Sequence, residues 1–272
     1  MTVTTSINID SLKFIAMDMD GTILDEGYQL SPRVFLTLNA LQGQGKRLII
    51  ATGRIYSSSR GFLQGAFEPD AFVCTNGADI YGPDGTHIVS HHIPGTALPA
   101  LIASGRKHSA LLCCYIGEDW IYEKPSPMVE FYEKRSGVKG LRRDFDTLAG
   151  EDILKFLAVG PREELLEMRE EITQGAPGLL ETVFSHDNML EIMAKGVSKR
   201  NGLEECLGYF GGTLGETVAF GDAENDVEML KAVGVGVAMG NAHPSIQAEV
   251  EHLAPSVDED GVARFLEELF GL

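Results

Sequence analysis

No window of this chain is apolar for long enough to form a membrane-spanning helix, and the sequence reads as that of a soluble protein. Basic charge is scarce: 22 Lys and Arg stand against 40 Asp and Glu, a formal net charge of −18. That balance argues against partners such as nucleic acid or an anionic membrane, both of which need a clustered basic surface. It also repels anionic substrates. Any phosphate site here needs local positive charge, from a metal ion or from a few well-placed Lys and Arg. Cysteine is scarce too: Cys74, Cys113, Cys114 and Cys206 show neither CxxC spacing nor a disulfide framework, which suits reduced thiols in a cytoplasmic protein. The opening MTVTTSINIDSLKF has no basic stretch followed by an apolar one, so no signal peptide is expected. What is present is ordinary globular material, 44% hydrophobic and 23% charged over 272 residues, enough for one large domain or two modest ones.

The apolar runs are short and sharply punctuated. Phe14-Ile15-Ala16-Met17 ends in DMDGT and predicts a buried strand. Ser31-Pro32 then opens a helix, with Ser as N-cap, Pro at N1, and Val34, Leu38 and Leu41 at helical spacing. Further strands are predicted over Arg47 to Ala51 and Ala71 to Thr75, with a polar helix from Ser57 to Leu63 between them. The pattern resumes near the C-terminus, with a helix from about Ser198, a strand over Thr217 to Phe220, a helix reaching about Val233 and a strand over Gly234 to Met239. Near-continuous apolar strands alternating with helices predict a Rossmann-like, doubly wound parallel α/β sheet covered on both faces.

The middle of the chain reads differently. Ile80-Tyr81 and His87-Ile88-Val89 flank a Gly-Pro-Asp-Gly turn, and beyond them strands and helices mix in an α+β pattern. Strands are expected at Ala110 to Tyr115, Trp120 to Glu123, Ile153 to Val159, Leu179 to Phe184 and Met189 to Met193. Helices are expected at Pro94 to Lys107, Met128 to Arg135 and Arg162 to Ile172. An inserted α+β domain over residues 83–187, within a core of 1–82 and 188–272, is the natural inference.

Four segments carry chemistry, each just after a predicted strand, and open α/β sheets bind ligands outside the carboxyl ends of their strands. Asp18 and Asp20, in DMDGT, can face one locus, one attacking phosphorus and the other transferring the ester-oxygen proton. The same residues also suit a plain turn. Thr52 and Gly53, in TGR, offer a hydroxyl and backbone amides near a helix start, a phosphate cradle or merely an N-cap. In KGVSK, Lys195 or Lys199 could neutralise a carboxylate and a phosphoryl oxygen. In GDAEND, Asp222 stands where a metal ligand is expected and carboxylate oxygens suit Mg²⁺; Asn225 and Asp226 return toward the same locus from the next turn. Glu224 suits simple complementation of a helix N-terminus.

In this order, DxDGT, TGR, SK and GDxxND resemble the haloacid dehalogenase superfamily, specifically its Cof-type phosphatases with a large α+β cap. TNGA at Thr75 to Ala78, GNA at Gly240 to Ala242 and DEDGVA at Asp258 to Ala263 extend the resemblance along almost the whole chain. Arg200 departs from it, standing where that family usually has glycine, which puts the local helix start in question. The resemblance implies a phosphatase with Asp18 as nucleophile, Asp20 as general acid and base, and Thr52, Gly53 and Lys199 around the phosphoryl group. It implies Mg²⁺ on Asp18, the Asp20 carbonyl and Asp222, with Asp226 as a ligand or just behind one. It also implies Asn225 orienting the phosphate or the nucleophile. The expected partner is a small phosphorylated metabolite (a sugar phosphate, pyridoxal phosphate or a flavin mononucleotide), and the expected assembly a monomer or homodimer. Cap residues such as Trp120, Tyr122, Glu123 and His186 could contact such a metabolite, while Trp120 and Tyr122, sharing one strand face, equally suit packing or dimer contacts. A phosphomutase and a non-catalytic metabolite- or metal-binding module are the alternatives; retention of Asp18, Asp20, Lys199 and Asp222 together speaks against the latter.

Overall fold

The computed structural model describes residues 8–63, 65 and 67–272; the first seven residues of the segment read above for a signal peptide lie outside them. In chain order the elements are β1 (Phe14–Met17), α1 (Pro32–Gly43), β2 (Arg47–Ala51), α2 (Tyr56–Leu63), β3 (Ala71–Cys74), β4 (Asp79–Tyr81) and β5 (His87–Ser90). Next come α3 (Leu98–Lys107), β6 (Leu111–Ile116), β7 (Asp119–Tyr122), α4 (Pro127–Ser136), β8 (Leu141–Arg142), β9 (Ile153–Val159), α5 (Arg162–Gly175), β10 (Leu180–His186) and β11 (Met189–Ala194). The chain closes with α6 (Lys199–Tyr209), β12 (Thr217–Gly221), α7 (Val227–Ala232), β13 (Val235–Ala238), α8 (Pro244–Gln247), β14 (His252–Leu253) and α9 (Gly261–Phe270).

The first sheet runs β14-β13-β12-β1-β2-β3-β4-β5, parallel up to β3 and antiparallel through the β4–β5 hairpin. Its central strands β1, β2, β3 and β12 are buried on both faces, as their apolar runs require. Ile15 and Met17 of β1 pack with Leu38 and Leu41 of α1 and Leu266 of α9. Phe14 and Ala16, pointing the other way, pack with Leu203 and Leu207 of α6 and Met229 of α7. Strand order reverses at β1, which has β2 on one side and β12 on the other, and that switch point opens a crevice beyond the strands' carboxyl ends. Ser31 caps α1 as expected, accepting from the Val34 N–H at 3.2 Å, with Pro32 at the first helical position.

The second sheet runs β10-β11-β9-β6-β7-β8 and is antiparallel except between β7 and β8. Helices α3 and α5 pack on one face through Leu101, Leu165, Met168 and Ile172. The expected boundaries at 83 and 187 are displaced at both ends. His87–Ser90 belongs to the first sheet as the second arm of the β4 hairpin, and Met189–Ala194 belongs to the second, paired on both sides by β10 and β9. A hairpin satisfies its backbone groups by keeping both arms in one sheet, so the crossings fall after Ser90 and after Ala194.

Candidate active site

Asp18 follows β1 directly and is almost fully buried. Lys199, the first residue of α6, donates to Asp18 Oδ1 at 2.6 Å and to Asp226 Oδ1 at 2.7 Å. The other Asp226 oxygen accepts from the backbone N–H groups of Asp222 and Ala223, each at 3.0 Å. Asp226 thus fastens the lysine to the loop after β12. Residues 224–226 form a short 3₁₀ turn ahead of α7 rather than its first α-turn. Asp222 is held by Thr22, whose hydroxyl donates to its Oδ1 at 2.8 Å. Gly21 is required beside it: its φ is +84°, and a Cβ there would lie 2.5 Å from Asp222 Oδ2.

Oxygens of Asp18, Asp222 and Asp226 all lie within 4.8 Å of one another, a set that could hold a metal ion. Burial pushes the Asp18 carboxyl up to about 7, with the charges of Asp226 and Asp20 adding to the effect and Lys199 opposing it. Burial likewise raises Asp222, helped by Asp18 and Asp226. Burial alone would lower Lys199, but the flanking Asp18 and Asp226 carboxylates outweigh it and hold the ammonium well above its usual range. Two buried carboxylates and the half-buried Asp222 against one ammonium leave an excess of negative charge. Hard oxygen donors carrying that excess fit a divalent cation such as Mg²⁺. Asp18 and Asp222 are the better ligands, because both Asp226 oxygens already accept hydrogen bonds.

Asp20 is turned away from this cluster. Its carboxylate receives Arg54 through both fork positions, Nη2 to Oδ1 at 2.6 Å and Nε to Oδ2 at 2.7 Å. Arg54 is itself clamped, against the Phe62 ring at 4.3 Å and through Nη1 to the Ser58 hydroxyl at 3.2 Å. That hydroxyl donates in turn to the Ser136 carbonyl of α4, so the Asp20 pair leans on the second sheet's helical layer.

The remaining predicted residues surround the pair. Thr52 is buried, and its Oγ1 accepts the Arg54 N–H at 3.2 Å, leaving the hydroxyl proton to donate elsewhere. Gly53 turns its carbonyl toward the second sheet. Asn225 donates to Asn76 Oδ1 at 2.9 Å, while its own Oδ1 and the Thr75 hydroxyl are buried without a partner among the described residues. Thr75 and Asn76 both hold positive φ, and Gly77 after them (φ +95°) lies where a Cβ would meet the Ser198 carbonyl at 2.2 Å. TNGA is thus a tight turn that seats the start of α6.

Lys195 pairs with Glu181 at the surface instead of entering the site. Arg200 leaves the helix start intact: Ser198 accepts the Asn201 N–H at 3.3 Å, and Arg200 reaches Glu204 one turn on. Trp120 and His186 line the crevice above Asp18 and Asp20, together with Tyr115, Tyr132 and Glu191. Glu123 does not line it, being tied to Arg106 at the outer side. Sequence reasoning missed the roles of Arg54, Asn76 and Thr22. The letters TGR, TNGA and DGT were visible, but nothing in their spacing named a partner.

A family model described as haloacid dehalogenase-like hydrolase matches residues 15–266. An HMP-PP phosphatase of Yersinia enterocolitica is 28% identical over 257 residues, 94% of this chain and 94% of the relative. Another, of Yersinia pseudotuberculosis, is 27% identical over 256 residues, 93% of this chain and 94% of the relative. Among solved structures, a haloacid dehalogenase-like hydrolase from Bacteroides thetaiotaomicron has a TM-score of 0.83 at 28% identity, covering 95% of this chain and 100% of that one. A HAD subclass IIB sugar phosphatase has a TM-score of 0.82 at 25% identity, covering 95% of this chain and 99% of that one.

Proposed function

Since this chain belongs to the haloacid dehalogenase-like hydrolases, we propose that it is a Mg²⁺-dependent phosphatase for small phosphorylated metabolites, with Asp18 as its nucleophile. The observation that carries the reading is the buried bridge of Lys199 between Asp18 and Asp226, beside Asp222. It puts a nucleophilic carboxylate, a fixed positive charge and a set of hard oxygen donors at one point. In a protein of net charge −18, Lys199 together with a divalent cation on those oxygens would offset the charge of a phosphate dianion there.

In the proposed reaction a substrate phosphoryl group lies against Lys199, the Thr52 hydroxyl and the Gly53 N–H, the Thr52 and Arg54 N–H groups being taken by the Val73 carbonyl and Thr52 Oγ1. Asp18 attacks phosphorus, the bond to the leaving oxygen breaks, and Asp20 gives that oxygen its proton. Asp20 then takes a proton from water, whose oxygen displaces Asp18 from phosphorus and releases inorganic phosphate. Mg²⁺, when bound by Asp18, the Asp20 carbonyl and Asp222, supplies charge neutralisation and alignment for phosphoryl transfer. Asp226 holds Lys199 and the loop bearing Asp222 in register. Asp20 begins this cycle protonated, with Arg54 steering it through one carboxyl oxygen while the other carries the proton.

The second sheet and its helices act as a cap over the crevice, excluding water and reading the leaving group. Relatives named HMP-PP phosphatase and sugar phosphatase make those two substrate classes the first to try. The test is phosphate release from a panel of phosphorylated metabolites with Mg²⁺, an EDTA control and the Asp18→Asn variant. Release that needs Mg²⁺ and falls at least about a thousandfold in a folded Asp18→Asn protein is expected. Robust turnover by that variant, with deamidation back to Asp excluded, would overturn the nucleophile assignment.

A further inference from the structure

Lys155 is the most deeply buried charged residue of the second sheet, about 1% exposed in the middle of β9. Its Nζ donates to Glu191 Oε2 on β11 at 2.6 Å and rests 4.7 Å from the centre of the Tyr115 ring on β6. The other Glu191 oxygen accepts from the Ser185 hydroxyl at 2.9 Å. A buried ion pair of this kind is weak evidence for stability, since well-packed apolar side chains of the same volume usually do as well. The third Lys155 contact goes further. Nζ also donates to the Gly53 carbonyl at 2.6 Å, crossing from the cap to the loop between β2 and α2.

That carbonyl belongs to the Gly53–Arg54 peptide. In a trans peptide the C=O and N–H point in opposite directions, so fixing one aims the other. With the carbonyl held by Lys155, the Arg54 N–H points back at Thr52 Oγ1, to which it donates at 3.2 Å. One peptide plane is thereby pinned at both ends, by a cap lysine and by the Thr52 hydroxyl. Arg54, which follows, carries the fork on Asp20.

We propose that Lys155 is a positioning residue for the phosphate loop: by holding the Gly53 carbonyl from the cap, it sets the peptide orientation on which the Thr52 hydroxyl and the Arg54 grip on Asp20 depend. The inference rests on the phosphatase reading above, in which this loop receives the phosphoryl group. It makes phosphate affinity a property of the seated cap, independent of the leaving group. Lys155 itself touches neither, acting through Gly53.

The test uses the full chain with Mg²⁺ and inorganic phosphate, whose binding is read by calorimetry and needs no turnover. Lys155→Met with Glu191→Leu replaces the pair by apolar side chains of similar volume and keeps either charge from being stranded. This double variant is expected to melt within a few degrees of wild type yet bind phosphate about tenfold more weakly, with a similar loss in kcat/KM for every phosphate ester tried. Lys155→Gln, which keeps an N–H donor at the position, is expected to bind phosphate more tightly than the double variant. Unchanged phosphate affinity in the folded double variant would overturn the proposal, as would a loss confined to particular esters, which marks a leaving-group contact. If the wild-type chain itself neither binds phosphate nor releases it from any ester, the phosphatase reading falls first and takes this inference with it.

Discussion

Arg54 and Asp20 meet fork to fork, two parallel charge-assisted hydrogen bonds of 2.6 and 2.7 Å between residues 34 positions apart. The pairing joins the two loops at the ends of β1 and β2 and fixes the plane of the carboxylate proposed to transfer the proton. A lysine could offer charge at that distance, but not the planar fork.

Arg54→Lys and Arg54→Met are therefore expected to lower kcat by roughly 10- to 100-fold, the usual range for a misplaced general acid. Lys should recover little of the loss, because geometry rather than charge is what Arg54 supplies. Steady-state kinetics on any ester that the wild-type protein turns over will check this.

The acidic cluster makes an opposite pair of predictions for Asp222→Asn. Burial and the neighbouring Asp18 and Asp226 raise the Asp222 carboxyl, so charge there is disfavoured in the metal-free protein. The metal-free variant should melt at or above wild type. Mg²⁺ at 100 times its dissociation constant should stabilise wild type by about 2.7 kcal/mol and leave the variant nearly unmoved. Thermal melts with and without Mg²⁺ or EDTA read both effects.

Gly21→Ala adds one methyl group at a left-handed backbone position, against Asp222 Oδ2. The expected cost is roughly 1–3 kcal/mol of strain, with Asp222 displaced. A denaturant titration should show the lost stability and a metal titration the weakened Mg²⁺ binding. Retention of both would mean that the DMDGT turn is looser than its geometry shows.

Acid should also weaken the outer network of the second sheet. The Arg106 guanidinium and the Phe145 N–H hold the Glu123 carboxyl at about 2, below its ordinary 4.5. A carboxylate depressed on folding contributes stability that is present above pH 4.5 and lost as pH falls from 4.5 toward 2. Melting temperatures of wild type and Glu123→Gln should differ at neutral pH and converge through that window. A gap that stays constant from pH 7 to pH 3 would exclude the ion pair as its source.

Much of the fold was legible because its signals are local. Phe14 to Met17 announces a buried strand by composition and length, and Ser31-Pro32 announces a helix start by cap chemistry. Asp18 and Asp222 could be singled out because each directly follows such a strand. Partnership was harder to read. Lys199 finds Asp18 across 181 positions, and Lys155 finds Gly53 across 102, distances over which spacing carries no information. Arg54 stood in plain view in TGR, but its grip on Asp20 depends on how two loops lie after folding. The misplaced boundaries had the same origin. β10 and β11 look alike as strands whether they belong to one sheet or two, and only the pairing of Met189–Ala194 with β9 decides.

The central strand of the first sheet has a consequence for how the chain acquires its fold. β1 pairs with β2 at Phe14↔Arg47 but with β12 at Phe14↔Thr217, on the far side of the whole inserted segment. At synthesis rates of about 5–20 residues per second, roughly 10–40 s separate the emergence of Phe14 from that of its second neighbour. Until then an apolar strand presents one edge unpaired, whereas the second sheet, assembled from a continuous stretch that ends at Ala194, has every strand it needs before Thr217 emerges. The cap has the means to fold first, and the buried lysine at position 199 can reach Asp18 only once the chain has returned from it.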